Sequence, residues 1–280
     1  PFCPIAEAGA LSVFRGFYTP HCERAGCGNF SVLVEILPLW YNQMTDESLR
    51  EVGRLLEKYK RIIAVVGHYG SGKTNLAVNL AVDLKAAGKQ VVLVDLDIVN
   101  PYFRSADFAG LMQEKGVETI LPVYARSNLD IPALTAQLDG AIDTGKTLVI
   151  DVGGDDAGAA ALGRYSRAIQ EAGGCDLVCV VNQYRYLTRT AQEADEILEQ
   201  IQAAAHLPVT GVVNNSNLAY ETRAEDIVAT LPFAQEVAAR HGVPLAFTAV
   251  RRDLIGQVRK LDAHREYYPV DIYVKKIWEE

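Results

Sequence analysis

The chain has 280 residues, of which 49% are hydrophobic, so it can bury the core of one large domain. Its formal net charge of −8 argues against indiscriminate binding to nucleic acid or to anionic lipid, so neither nucleic acid nor a membrane is favoured as a partner. No apolar run approaches the length of a membrane-spanning helix and no cysteine pattern demands disulfides, so we expect a cytoplasmic protein.

Residues 1–43 differ from the rest of the chain. They contain three of the five cysteines but show no sustained helical or strand period. The cysteine spacing in HCERAGC (21–27) is not that of a standard zinc site. Because Met44 begins an amphipathic helical pattern, we interpret residues 1–43 as an irregular extension, mis-called or poorly ordered, and residues 44–280 as the folded domain.

From Lys60 onward, short apolar runs alternate with helical patterns. The runs that predict strands are RIIAVVG (61–67), QVVLVDLD (90–97), KTLVIDVGG (146–154), CDLVCVVN (175–182), PVTGVVNN (208–215) and PLAFTAV (244–250). The patterns that predict helices include TNLAVNLAVDLKAAGK (74–89), TRTAQEADEILEQIQAAAH (188–206) and RAEDIVATLPFAQEVAARHG (223–242). Apolar strands alternating with helices predict an α/β fold, with a mostly parallel sheet covered by helices on both faces.

The segment GHYGSGKT (67–74) follows the first predicted strand directly. Its glycines allow a tight turn in which successive main-chain N–H groups point at a phosphate, and the helix that follows adds its positive N-terminal end. In such a Walker A loop the lysine reaches the β- and γ-phosphates and the hydroxyl binds Mg²⁺. The predicted phosphate-binding residues are Gly67, His68, Tyr69, Gly70, Ser71, Gly72, Lys73, Thr74 and Asn75.

Acidic residues end two further strands. Asp95 and Asp97 lie at the end of VLVDLD, and Asp151 ends LVID. In a parallel sheet these ends share one edge with the phosphate loop, where carboxylates can hold Mg²⁺ and orient a water for in-line attack. Thr74, Asp97 and Asp151 are therefore the candidate metal ligands. Gly153 and Gly154, directly after Asp151, suit a backbone that approaches the γ-phosphate and moves when it leaves.

The phosphate loop, VDLD, IDVGG and GVVNNSN resemble the MinD/ParA/nitrogenase-iron-protein group of P-loop ATPases over about residues 60–250. The resemblance implies a three-layer P-loop fold and Mg²⁺-dependent ATP hydrolysis used as a partner-regulated switch. It implies that Lys73 and Thr74 bind phosphate and Mg²⁺, that Asp97 positions the attacking water, and that Asp151 is the acid of the Walker B strand. These implied roles make Lys73, Asp97 and Asp151 the catalytic candidates.

The resemblance also implies a nucleotide-sandwich homodimer, in which a lysine after the first glycine of the loop reaches the partner subunit's nucleotide. His68 occupies that position here. A histidine is shorter and only partly charged near neutral pH, so it is a poor substitute for a lysine that stabilises transition-state charge. The substitution weakens the argument for a homodimer.

The sequence favours ATP over GTP. Guanine-reading GTPases usually present Asn-Lys-x-Asp after a strand, whereas VVNQYR (180–185) and VVNNSN (212–217) lack the lysine and the aspartate. An asparagine amide can pair with the donor and acceptor edge of adenine. The resemblance assigns this contact to Asn215, with Asn214 as the alternative.

Two other functions remain open from the sequence. An ATP-dependent small-molecule synthetase or kinase, resembling dethiobiotin synthetase, has the same fold, and its substrate contacts here would be Arg104, Asp155, Asp156 and Arg164. Turnover with only ATP and water would favour the switch over this alternative. A module that binds nucleotide without hydrolysing it is the other, and the presence of Asp97 together with Asp151 argues against it.

Partner surfaces are weakly indicated. The basic segment VRRDLIGQVRK (250–260) is interpreted as a solvated helix face. The tail YYPVDIYVKKIWEE (267–280) is short and ends acidic, so we expect it to pack onto the domain rather than bind lipid. The expected partner of the switch is an unidentified protein.

Overall fold

The computed structural model of the chain describes residues 46–97, 109–121, 130–154 and 156–274. The extension interpreted at residues 1–43 lies outside this part of the chain. The described strands are β1 (Ile62–Val66), β2 (Val91–Asp95), β3 (Glu118–Ile120), β4 (Thr147–Asp151), β5 (Asp176–Val181), β6 (Gly211–Asn214), β7 (Leu245–Arg251) and β8 (Tyr267–Val270).

Ten α-helices lie among the described residues. They are α1 (Asp46–Glu57), α2 (Lys73–Ala86), α3 (Ala109–Glu114), α4 (Asp130–Asp143), α5 (Asp156–Gly163), α6 (Ser166–Glu171), α7 (Ala191–Ala205), α8 (Ala224–Ala229), α9 (Leu231–Arg240) and α10 (Ile255–Leu261). In these ranges, no helix has the length and apolarity that crossing a membrane requires.

The strands form one sheet in the order β3-β2-β4-β1-β5-β6-β7-β8, and every described pair is parallel. Strands β2, β3 and β4 lie to one side of β1, and strands β5 to β8 lie to its other side. Ligands of such sheets bind beyond the carboxyl ends of the strands, near the point where the order reverses. The predicted α/β fold is confirmed, and the sheet is parallel throughout.

Helices cover the sheet on both faces, as predicted. Ile62, Ala64 and Val66 of β1 belong to a core that also contains residues of α4, α5, α6, α7 and α9. Ile63 and Val65 belong to a second core with residues of α1, α2 and α3. The alternation follows from the two-residue period of a strand, and it explains why all five β1 positions are buried.

Local signals in the sequence define two of the helices. Gly88 has φ 85° after α2, and the N–H of Lys89 donates to the carbonyl of Leu84, which closes the helix as a glycine C-cap does. At the start of α7, Thr190 and Glu193 form a reciprocal capping box. Both helices lie where the sequence predicts them.

The helix predicted at residues 223–242 is wrong in one respect, because the structure has two helices there. The Thr230 hydroxyl donates to the Ile227 carbonyl at 2.7 Å, and Pro232 lies in the first turn of α9. A proline lacks the N–H that a continuous helix needs, but it is well placed at a helix start. The break therefore falls immediately before the proline.

Two edge strands were not predicted from the sequence. β3 is three residues long and half exposed, so it lacks an apolar signature. β8 contains Pro269, which is tolerated mainly at a sheet edge, and it lies in the tail that we predicted to pack onto the domain. That packing is confirmed for β8, whose four residues are all buried.

Candidate functional site

The loop between β1 and α2 adopts a conformation that only glycines accommodate. Gly67, Gly70 and Gly72 have φ values of 143°, 73° and 92°, in the left-handed range that other residues rarely adopt. A Cβ atom on Gly67 would lie 2.3 Å from the carbonyl oxygen of Val180 in β5. The loop therefore lies directly against the strand next to β1, at the carboxyl edge of the sheet.

Lys73 begins α2 and folds back over this loop. Its side chain is buried, and its Nζ donates to the main-chain carbonyl of His68 at 3.1 Å. Burial, and then the positive charge of Lys73, lower the pKa of the His68 imidazole. The lowered pKa disfavours the charged imidazole, so His68 is a poor source of the positive charge that a lysine would supply at its position.

Asp95 and Asp151 are paired residues on the neighbouring strands β2 and β4. Both are buried, and burial together with the charge of Asp95 raises the pKa of Asp151 to about 8, an effect that Thr74 and Lys73 oppose. Among the described residues, neither carboxylate oxygen of Asp151 has a hydrogen bond of normal geometry. A buried carboxylate in this state binds a proton readily and is well suited to exchange it for a cation.

Asp97 lies two residues beyond Asp95 and is held by the turn that follows β2. Its main-chain N–H donates to Asp95 Oδ1 at 2.8 Å, and its side chain lines a cleft beside the phosphate loop. A Cβ atom on Gly153 would lie 3.3 Å from Asp97 Oδ1. The carboxylate of Asp97 is thus close to the backbone that follows Asp151.

Gly154 packs against the phosphate loop. A Cβ atom at this position would lie 2.8 Å from Tyr69 Cα and 2.9 Å from Lys73 Nζ, so no larger residue fits without a shift. Gly158 makes a similarly close approach to Gly153, since its Cβ atom would lie 2.5 Å from the Gly153 carbonyl oxygen. The start of α5 is therefore packed closely onto the backbone that contacts the loop.

These residues fit a Mg²⁺ ion bound together with a phosphate. Within the described ranges, no group of three or more His, Cys, Asp or Glu residues is arranged to hold a metal ion by itself. Mg²⁺ bound with nucleotide phosphates characteristically takes only one or two carboxylates and keeps several waters. The buried carboxylate of Asp151, beside the side chain of Thr74, meets that requirement.

The loop forms one side of a cleft of about 310 Å³, within the range of small-molecule sites. The structure brings eight predicted site residues to it: Tyr69, Gly70, Gly72, Lys73, Thr74, Asn75, Asp97 and Asn215. Gly67, His68, Ser71 and Asp151 do not line the cleft, and Asp151 and Ser71 are only 1% exposed. A ligand would therefore reach Asp151 only through an ion or a movement of the covering backbone.

Asn215 lies beside the loop, and both ends of its amide already bind protein groups. Nδ2 donates to the Ser71 carbonyl at 2.7 Å, and Oδ1 accepts from Asn217 Nδ2 at 2.7 Å. Asn214 is fully buried, donates to the Thr230 hydroxyl and does not line the cleft. Of the two asparagines considered for base recognition, only Asn215 is exposed to the cleft.

Other residues of the cleft were not predicted as site residues. They are Arg185, Asn217, Ala219, Tyr220, Thr222, Ile227, Arg251, Leu254, Val270, Ile272 and Val274. Arg185 follows β5, the neighbour of β1, and a Cβ atom on Gly70 would lie 3.6 Å from its Nε. The sheet order would have identified Arg185, because it places the end of β5 beside the loop, whereas the alternation of strands and helices does not give that order.

The residues considered for a synthetase or kinase pocket do not gather at the cleft. Arg104 and Asp155 lie outside the described residues, and the side chain of Asp156 is not described. Arg164 is exposed near the end of α5 and is not a lining residue. The described part of the chain thus offers no contact from this set to a second substrate.

Several solved structures resemble the fold. They include the signal recognition particle receptor FtsY from Elizabethkingia anophelis, with 21% identity and a TM-score of 0.45 over 70% of this chain and 63% of that chain. FtsY from Mycoplasma mycoides has 14% identity and a TM-score of 0.49, over 74% of this chain and 64% of that chain. The signal recognition particle 54 kDa protein from Aeropyrum pernix K1, in complex with GDP, has 18% identity and a TM-score of 0.44, over 78% and 50%.

The chain spans less than two-thirds of the length of each of these three proteins, and similarities at this level carry no argument about function. No curated protein matches the chain. Residues 62–228 match the model of the CobQ/CobB/MinD/ParA nucleotide-binding domain, a segment that runs from β1 into α8 and contains the phosphate loop, Asp97 and Asp151. The chain therefore belongs to the CobQ/CobB/MinD/ParA nucleotide-binding domain family and has the fold of a P-loop NTPase.

Proposed function

We propose that the protein binds ATP with Mg²⁺, hydrolyses it, and uses the change in nucleotide state to alter its affinity for a protein partner. The observation that carries this proposal is the position of Gly154. Its backbone packs on Tyr69 and Lys73 of the phosphate loop, in the region that a γ-phosphate paired with Lys73 would need.

The phosphate loop is the part of the structure that we propose binds the nucleotide. Gly67, Gly70 and Gly72 hold it in the left-handed conformation that directs main-chain N–H groups inward, and α2 begins immediately after it. Lys73 would exchange the His68 carbonyl for phosphate oxygens. Thr74 and Asp151 would hold Mg²⁺, which supplies neutralisation of the charge on the β- and γ-phosphates.

Asp97 is the proposed water-positioning residue. Asp97 lines the cleft. The hydrogen bond from its main-chain N–H to Asp95 Oδ1 holds its backbone in place. Phosphoryl transfer needs little covalent chemistry from the protein, so holding the nucleophile in line is a large part of catalysis. Removing the charge of this carboxylate while keeping its shape is the sharpest test of the role.

The proposed switch follows from the close packing around Gly153, Gly154 and Gly158. Gly154, which packs on Tyr69 and Lys73, would move when a γ-phosphate binds Lys73, and Gly158 of α5 would follow because it lies in close contact with Gly153. α5 packs against α7 on one face of the sheet. The surface formed by α5 and α7 is therefore where a partner would sense the nucleotide state.

ATP is proposed as the nucleotide because the chain lacks the Asn-Lys-x-Asp pattern after β5 and after β6. Equilibrium titrations of ATP and GTP, each with Mg²⁺, test this directly. The parent protein should prefer ATP, and Lys73→Ala should lose roughly 10- to 100-fold in ATP affinity, the value of a charged hydrogen bond to phosphate.

Lys89→Ala is the matched control for Lys73→Ala, because Lys89 is exposed just beyond α2 and should leave ATP affinity unchanged. A Lys73→Ala protein that binds ATP as tightly as the parent would overturn the site assignment. Phosphate release from ATP in water alone separates a hydrolase from the synthetase or kinase alternative, which needs a second substrate.

A further inference from the structure

Residues 271–274 follow β8 and run along the first turns of α2, the helix that begins at the phosphate loop. Asn75 fixes this segment at two points. Its Nδ2 donates to the Asp271 carbonyl at 3.0 Å, and its Oδ1 accepts from the N–H groups of Tyr273 and Val274 at 2.8 and 3.2 Å. An irregular segment that buries its main-chain polar groups requires such partners, and here one side chain supplies them.

Asn79 lies one turn further along α2 and fixes the same segment. Its Oδ1 accepts from the N–H of Asp271 at 2.8 Å, and its Nδ2 donates to the Asp271 carbonyl at 2.9 Å. Nδ2 also donates to the Asn75 carbonyl at 2.7 Å, and the side chain is only 2% exposed. Since both N–H donors and the oxygen of this buried amide are hydrogen-bonded, its placement is well determined.

The other side of the segment lines the cleft. Val270, Ile272 and Val274 are lining residues, whereas Asp271 binds Arg252 and Tyr273 packs on the core that contains α2. The alternation is that of an extended chain, in which successive side chains point to opposite sides. The cleft wall is thus apolar at three alternate positions.

The same cleft contains an exposed aromatic ring and a cation. Tyr220 is 64% exposed, and the Arg251 guanidinium lies 5.6 Å from the centre of its ring. Leu254 and Ile227 add further apolar surface to the lining. An apolar pocket with a few polar groups at its edge fits a flat, heteroaromatic ligand with polar groups on its rim.

We propose that residues 270–274 form the wall on which the nucleobase packs, and that Asn75 and Asn79 are positioning residues that hold this wall at a fixed distance from the phosphate loop. The inference rests on the proposed function, and it extends the site beyond residues 62–228 that match the family model. Asn75 directly follows Thr74, so one rigid helix carries both the phosphate contacts and the anchors of the wall.

The test compares ATP with inorganic tripolyphosphate, both with Mg²⁺, because tripolyphosphate has the phosphate chain but no base. Ile272→Ala removes apolar surface from the wall and should weaken ATP about 3- to 10-fold while leaving tripolyphosphate affinity within about twofold. Leu261→Ala is the matched control, since this exposed residue lies outside the cleft and should change neither affinity.

The double variant Asn75→Ala/Asn79→Ala should show the same selectivity, with a larger loss for ATP than for tripolyphosphate. An equal loss of both ligands would show that the asparagines merely stabilise α2 and would overturn their positioning role. Thermal denaturation of each variant identifies a folding defect, and Ile272→Ala keeps the test decisive if the double variant does not fold.

The remaining outcomes are also distinguishable. If the parent binds ATP and tripolyphosphate but Ile272→Ala binds ATP like the parent, the wall assignment is wrong and the proposed function stands. If the parent binds neither ligand, the proposed function fails and this inference fails with it.

Discussion

The side-chain amide of Asn215 donates a 2.7 Å hydrogen bond to the carbonyl of Ser71. Asn215, which directly follows β6, thereby supports the phosphate loop. The same amide accepts from Asn217 at 2.7 Å. Its position is tight as well, because a Cβ atom on Gly72 would lie 2.2 Å from Asn215 Nδ2. To read adenine, as the family resemblance implies, this amide would use its second N–H donor and the second lone pair of its oxygen.

Asn215→Ala should weaken ATP binding about 5- to 10-fold, because the buried Ser71 carbonyl loses its donor. Titration of ATP and GTP on the variant distinguishes the two roles of the side chain. A greater loss for ATP than for GTP assigns adenine recognition to Asn215, whereas equal losses assign it loop support alone. Unchanged affinity for both nucleotides would contradict either role.

Asp151→Asn should weaken Mg²⁺-dependent ATP binding and also stabilise the protein in the absence of nucleotide. The folded state raises the pKa of this carboxyl to about 8, so its favourable contribution is present below about pH 4 and is lost as the pH rises through 8. The amide has no charge to bury, so we expect a gain of about 1–4 kcal/mol in the free energy of unfolding near pH 9.

Thermal or denaturant unfolding of the nucleotide-free protein, without Mg²⁺, measures this gain. Asp143→Asn is a suitable control, because Asp143 is an exposed aspartate at the end of α4. Equal stability of Asp151→Asn and the parent near pH 9, together with an unchanged Mg²⁺ requirement, would contradict the assignment of Asp151 to the metal.

Asp83 provides a second pH-dependent prediction, away from the phosphate loop. Burial raises its pKa to about 6, although Tyr268 donates a 2.6 Å hydrogen bond to it and Arg252 lies nearby. Because the folded pKa exceeds the unfolded value, the contribution of Asp83 to stability is greatest below about pH 4 and is lost as the pH rises through 6. Asp83→Asn should remove up to about 3 kcal/mol of this decline.

The measurement is the free energy of unfolding at several values between about pH 4 and pH 8. Asp83→Asn retains an oxygen that can accept from Tyr268, so it isolates the charge from the hydrogen bond. A parent and a variant with parallel pH profiles would show that Asp83 does not contribute to the decline.

Much of the fold follows from the sequence, because buried strands have a strong local signature. The five residues of β1 and the five of β2 are all buried, so each reads as a continuous apolar run. Within the described sheet, the edge strands β3 and β8 each pair with one neighbouring strand, and neither sequence is a continuous apolar run. The strand order depends on packing between distant segments, which a single sequence does not specify.

The residues proposed to bind phosphate could be predicted better than those proposed to contact the base. The loop, Asp97 and Asp151 lie in short motifs whose chemistry dictates their spacing, and the sheet gathers them at one edge. Ile272 and Tyr220 are ordinary apolar and aromatic residues in separate segments of the chain, and they meet only through the fold. The proposed base contacts therefore have no local pattern in the sequence.

His68→Lys tests whether the protein works as a nucleotide-sandwich homodimer in which a histidine occupies the position of the lysine that reaches the partner subunit's nucleotide. Burial, and then the charge of Lys73, lower the pKa of the imidazole and so disfavour its charged form. A lysine there should raise ATP turnover per subunit and make turnover increase with protein concentration. His68→Gln, which is uncharged, should do neither, and a His68→Lys protein whose specific activity is independent of concentration would leave the dimer unsupported.

Phosphate release from ATP by the Asp97→Asn variant, with ATP binding measured on the same preparation, tests the proposal of Mg²⁺-dependent ATP hydrolysis at the phosphate loop. Under this proposal, the parent should release phosphate without a second substrate, and Asp97→Asn should bind ATP within about threefold of the parent but lose about 100-fold or more in turnover, because the water is no longer positioned. Hydrolysis by Asp97→Asn at the parental rate would contradict it.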